Sequence, residues 1–194
     1  MNTDKLYITI KHTIEFLFKS CLLKPCLIAI CALFIIALIR MIFKAKPIFK
    51  SKKQALSVFI LFFYLAVVFE ITLFMRLSNR IDDPFSNIYG SWTITQNIYY
   101  YDFSCVENII MLLPHPFVIS FLISATKSVK ISNKLIIYSS LSAFLLSVFI
   151  EVMQIITHLG TFQISDIVYN TLGGVLGAVI FIIINLIIEK KRSK

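Results

Sequence analysis

Five runs of apolar residues, at about 21–43, 55–75, 105–126, 134–157 and 165–188, set the pattern of the 194-residue chain. A helix needs roughly 20 mostly apolar residues to cross a bilayer, and each run has about that length. The pattern predicts an all-α integral membrane protein: a bundle of about five transmembrane helices with an aromatic-rich extracellular loop after the second. The first run is too long and too deep in the chain for a cleaved signal peptide.

Composition points the same way. Hydrophobic residues make up 58% of the chain and charged residues 15%, against roughly 45–50% and 25% in soluble domains. The net charge of +9 is spread between the apolar runs rather than along one stripe, which argues against nucleic acid as a partner. Cys21, Cys26, Cys31 and Cys105 include no C-x-x-C pair, so they read as small buried hydrophobes, and neither a disulfide framework nor a metal site is expected.

The loops set the orientation. Lys44, Lys46, Lys50, Lys52 and Lys53 lie between the first two spans, Lys127, Lys130 and Lys134 between the third and fourth, and Lys190, Lys191, Arg192 and Lys194 in the tail. The positive-inside rule places these three regions in the cytoplasm, with the C-terminus. Lys5, Lys11, Lys19 and Lys24 oppose that parity. Leu6, Ile10, Ile14, Leu17 and Phe18 recur among them at helical spacing, which predicts an amphipathic helix lying in the interface.

Ionisable and amide groups inside a span are costly and each asks for a partner or a function. Counted inward at about 1.5 Å per residue, Glu70, Asn108, Glu151 and Asn170 all lie about 6–9 Å below the outer edge. Arg76, Glu107 and Asp166 stand near the outer boundary. The inner halves hold almost nothing comparable. Glu151, Gln154 and His158 fall on one helical face by their spacing, and Asp166 and Asn170 on another. Gly173-x-x-x-Gly177, with Gly174, allows a close backbone approach that would press the fourth and fifth helices together.

Each residue also has a plainer reading. A single acid or amide serves as interhelical glue, and Arg76 as an interfacial anchor paired with Glu70. His115, between Pro114 and Pro116, reads as a polar residue at a kink, and His12 as an exposed interfacial one. The gathering of polar groups at one depth on four helices favours a shared outer pocket, lined by Glu70, Arg76, Asn108, Glu151, Gln154, His158, Asp166 and Asn170. Asp83, Pro84, Phe85, Ile88, Tyr89, Trp92, Ile98, Tyr99, Tyr100, Tyr101 and Phe103 make the outer loop aromatic. It reads either as a lid over that pocket or as a simple aromatic belt.

These residues resemble the VanZ-like family, small bacterial membrane proteins associated with teicoplanin resistance. The family's E-x-x-Q pair appears as Glu151 and Gln154. Its D-x-x-x-N-x-x-G-x-x-x-G appears as Asp166, Asn170, Gly173 and Gly177, and its middle-helix Asn and Pro as Asn108 and Pro114. The Pro-Phe of its outer loop is matched by Pro84 and Phe85. The likeness runs from about residue 59 to 184 and is most specific in the last forty residues. Two features depart. The Arg and further Asp usual in the turn before the last helix are absent from residues 159–165, and the Gly usual after the middle-helix Pro is Pro116.

The resemblance implies a three-part chain. Residues 1–58 hold the interfacial helix, first span and basic loop, residues 59–188 a VanZ-like four-helix membrane domain, and residues 189–194 a basic tail. It implies a protein of the Gram-positive cell membrane that lowers susceptibility to glycopeptide or lipoglycopeptide antibiotics. Its expected partners are membrane lipids, a lipid-linked cell-wall precursor or the antibiotic itself, with no cofactor. Two other readings stand beside it. One is a membrane-embedded enzyme acting on a lipid-linked substrate with Glu151 or Asp166 as acid or base, although no nucleophile–base pair or H-E-x-x-H signature accompanies them. The other is an accessory subunit of a transporter.

Overall fold

The computed structural model describes residues 7–8, 10–11, 23–42, 49, 51–96, 101–126 and 134–192. Its helices are α1 (Leu23–Ile42), α2 (Lys52–Thr72), α3 (Ser104–Leu112), α4 (His115–Thr126), α5 (Lys134–Thr157) and α6 (Ile164–Arg192). A 3-10 turn, Phe74–Arg76, prolongs α2, and two-residue strands β1 (Thr95–Gln96) and β2 (Tyr101–Asp102) pair antiparallel in the long loop between α2 and α3. The protein is thus all-α apart from that short ladder. Most of the expected N-terminal interfacial helix, and Ile98, Tyr99 and Tyr100 of the loop, lie outside the described residues.

Among the described residues, four stretches are long and apolar enough to span a membrane: Lys52–Arg76, Ser104–Ala125, Ile137–Thr157 and Ile164–Arg192. These are the last four predicted spans. The first corresponds to α1, whose described apolar part, Lys24–Ala37, is shorter. Pro25 falls in the first turn of α1, where a missing N–H costs nothing. Ser51 caps α2 by accepting the Gln54 N–H at 3.2 Å, a preferred role for serine at that position.

The third span is two helices. Pro114 and Pro116 lack the N–H groups that a continuous helix would use, so the chain breaks between α3 and α4. Within a membrane such a break survives where neighbours satisfy the released backbone groups. Tyr64 of α2 does so, donating its hydroxyl to the Met111 carbonyl at 3.3 Å.

Helix α6 packs against α5, α3 and α4, while α2 packs against α1 and α4. A buried apolar cluster of Tyr64, Val68, Leu112, Val118, Ala143 and Ile150 lies between α2, α3, α4 and α5. Small residues set the spacing around α6. A side chain at Gly174 would strike Ala143 on α5, whereas one at Gly173 or Gly177 would strike the Ile109 or Leu113 carbonyl at the end of α3. The glycine pair four residues apart therefore seats the broken third span, and Gly174 alone brings α5 close. On α5, Ser139, Ala143 and Ser147 continue the same small-residue seam, all three fully buried.

Candidate functional site

The end of the bundle that the loop charges predict to face outward gathers the C-terminal ends of α2 and α5 and the N-terminal ends of α3 and α6. Its centre is the turn from α5 to α6. Helix α5 stops at Thr157 in a Schellman arrangement: His158 N–H donates to the Ile155 carbonyl and Leu159 N–H to the Gln154 carbonyl. His158 takes the left-handed conformation this motif requires (φ 57°), a place usually held by glycine. Its side chain turns outward, and Nδ1 donates to the Ile81 carbonyl at 3.0 Å. The expectation that His158 shares a face with Glu151 and Gln154 fails because the helix has already ended.

Glu151 is 1% exposed, yet its Oε2 accepts the backbone N–H of Gln163 at 2.7 Å. The carboxylate thus sits at the start of α6, where the helix dipole is positive. Gln154, 2% exposed, donates Nε2 to the Thr72 carbonyl at 3.2 Å, tying α5 to the end of α2, and its Oε1 is without a hydrogen-bond partner. One turn deeper than Asp166, Asn170 donates Nδ2 to Ser147 Oγ at 2.9 Å and leaves its Oδ1 unpartnered.

Arg76 draws these groups together. It acts electrostatically on Glu107, Glu151 and Asp166, while Asp102 acts on Glu107 and Asp166. Its Nη1 and Gln154 Oε1 both lie 2.8 Å from the point a Gly160 Cβ would occupy, so the guanidinium and the amide oxygen press on one spot in the α5–α6 turn. Asn108 turns its side-chain nitrogen toward the Asp166 carboxylate without reaching hydrogen-bond geometry. Asp166 itself accepts from Ser165 Oγ at 3.3 Å. Asp102 accepts the Ser104 N–H at 2.9 Å at the start of α3.

The outer loop is fastened to this turn mainly by backbone. Ile81 N–H donates to the His158 carbonyl, Phe162 N–H to Pro84, Ile164 N–H to Ile88 and Ser165 N–H to Tyr89, at 2.8–3.3 Å. Those last two donors are first-turn N–H groups of α6 that no helical carbonyl can reach. Gly90, at φ 71°, lies so close to Ser165 and Gln163 that a side chain would not fit. Tyr169 donates its hydroxyl to the Trp92 carbonyl at 2.7 Å with the two rings 5.9 Å apart, and Phe85 meets Phe162 at 6.3 Å.

Of the residues expected to line a pocket, the structure gathers Arg76, Asn108, Glu151, Gln154 and Asp166, with Asn170 just below. Glu70 lies elsewhere. It is buried against α1, where its Oε1 pairs with Lys24 Nζ at 3.3 Å, and among the described residues no ion pair joins it to Arg76. Equal depth did not mean the same side of the bundle. The pairing also answers one of the lysines that opposed the predicted topology.

His115 stands at the predicted kink, but its partner on α5 was not foreseen. His115 Nε2 meets Ser142 Oγ at 2.8 Å, and the His115 ring lies 5.9 Å from that of Tyr64. The Pro-His-Pro break and the serines spaced along α5 carried that signal. The roles of Gln163 and Gly160 had none, because they depend on how the turn folds back.

Comparison with known proteins gives one family. The VanZ/LLP1 family model matches residues 83–185, more than half of the chain. No curated protein and no solved structure matches.

Proposed function

The chain belongs to the VanZ/LLP1 family, and from that premise we propose that it lowers susceptibility to glycopeptide or lipoglycopeptide antibiotics by binding a lipid head group or the antibiotic in its outer polar site. In this reading the protein is a multi-pass component of the bacterial cell membrane. The acidic end of the bundle faces outward, and the basic C-terminal end of α6 lies in the cytoplasm. The carrying observation is the gathering at the α5–α6 turn of Arg76, whose Nη1 lies against Gly160, of Glu151, which holds the Gln163 N–H, and of Asp166 in the first turn of α6, with the buried Gln154 Oε1 still unpartnered. Buried polar atoms normally find partners, so this one calls for a donor from outside the chain. The turn lacks the family's arginine, and Arg76 brings a guanidinium against Gly160 in its place.

Teicoplanin susceptibility in an overexpressing host tests the proposal. The Glu151→Ala/Asp166→Ala double variant, present in the membrane at the level of the parent, is expected to lose protection. Unchanged susceptibility at equal membrane level overturns the resistance role.

A further inference from the structure

The outer site has an unbalanced charge. Asp102, Glu107, Glu151 and Asp166 share their surroundings with one guanidinium, that of Arg76. The N-terminal ends of α3 and α6 contribute about half a positive charge each, which still leaves the group acidic. The carboxylates do not converge on a point: among the described residues, no three His, Cys, Asp or Glu are grouped closely enough to hold a metal ion. They are dispersed instead, Asp102 and Glu107 at the start of α3, Glu151 in the last two turns of α5 and Asp166 in the first turn of α6. Gln154 is 98% buried, and its unpartnered carbonyl oxygen presses on the same glycine as the Arg76 guanidinium.

Dispersed acceptors around a single guanidinium suit a donor that can make several separate hydrogen bonds. A primary ammonium has three N–H groups and no acceptor, and bonds from it to carboxylates are of the stronger, charge-assisted kind. Arg76 in turn presents a planar fork to a phosphate or carboxylate. We propose that the outer site takes a zwitterionic ligand, its primary ammonium held by Asp166, Glu151 and Gln154 Oε1 and its adjacent anionic group held by Arg76. This rests on the reading of the cluster as a ligand pocket and names the chemistry of the ligand. An ethanolamine-type lipid head group carries that pair of charges side by side, and a glycopeptide with a free amine and carboxylate carries both at a wider separation.

The test is thermal unfolding of the full-length protein in a neutral detergent, followed by Trp92 fluorescence. Glycerophosphoethanolamine, glycerophosphocholine and glycerophosphoglycerol are compared at equal concentration, alongside teicoplanin and its N-acetylated form. A probe at ten times its Kd raises the Tm by about 3–6 °C. The expected result is a rise with glycerophosphoethanolamine, with teicoplanin, or with both, and little or none with the choline, glycerol and N-acetylated probes. Which aminated probe acts distinguishes lipid from antibiotic as the source. Arg76→Gln and Asp166→Asn are expected to abolish the shift. If either fails to fold, Glu151→Gln, which keeps an acceptor for the Gln163 N–H, is expected to weaken it.

Equal shifts with and without the amine, or no shift with any aminated probe, overturn the inference. Loss of antibiotic protection in the double variant without amine preference sinks this inference alone. Amine preference with unchanged susceptibility sinks the resistance role alone.

Discussion

The Glu151 carboxylate of α5 accepts the backbone N–H of Gln163 at 2.7 Å, so a buried acid on one helix closes the first turn of the next. Glu151→Ala would leave that half-buried N–H without its acceptor, at a cost of about 1–3 kcal/mol. Glu151→Gln keeps an acceptor oxygen and is expected to cost less. Thermal unfolding of the two variants in detergent measures the difference. Equal losses would mean that the charge, not the acceptor, holds the turn.

Gly177 lies on the Leu113 carbonyl, a backbone atom that cannot swing aside. Gly177→Ala is expected to force α6 away from the end of α3 and to cost about 1–3 kcal/mol, as overpacking does elsewhere. Leu176→Ala, on the exposed neighbouring face, is expected to change stability by about 0.5 kcal/mol or less. Comparison of the two melting curves decides it. A silent Gly177→Ala would contradict the seam described for α6.

His158 holds a left-handed backbone at φ 57°. A branched residue there is strained, and His158→Val is expected to lose about 1–2 kcal/mol. His158→Gly relieves the backbone while giving up the bond to Ile81, so it is expected to stay within about 0.5 kcal/mol of the parent. Denaturation of both variants separates backbone strain from side-chain contact.

Tyr64→Phe removes the hydroxyl that serves the Met111 carbonyl at the proline break. A stability loss of about 0.5–1.5 kcal/mol is expected, with faster amide hydrogen exchange around residues 110–118. Tyr138→Phe, on an exposed face of α5, provides the control. Unaltered exchange would show that the break is supported some other way.

The spans were legible in the sequence because length and apolarity alone decide whether a helix can cross lipid. The fixed rise per residue also let the sequence assign Glu70 and Glu151 similar depths. It is silent on azimuth. Glu70 faces α1 and Lys24, while Glu151 faces the start of α6. Spacing says which residues share a face, but which neighbour meets that face depends on the arrangement of all the helices.

The glycines make the same point. Gly173 and Gly174 are adjacent in sequence, and the roughly 100° turn between them sends one to α3 and the other to α5. His158 was misplaced for a more local reason. A Schellman end without glycine gives little warning in the sequence, so the spacing rule was carried one residue past the helix.

The attachment of the outer loop to the α5–α6 turn has an evolutionary consequence. Four of its hydrogen bonds run between main-chain atoms, which are the same whatever amino acids occupy the loop. A loop fastened in this way can exchange its aromatic side chains without coming loose from the turn beneath it. Residues 84–89 are free to drift in side chain while the bundle below stays fixed, whereas Gly90, pressed on Ser165 and Gln163, is not.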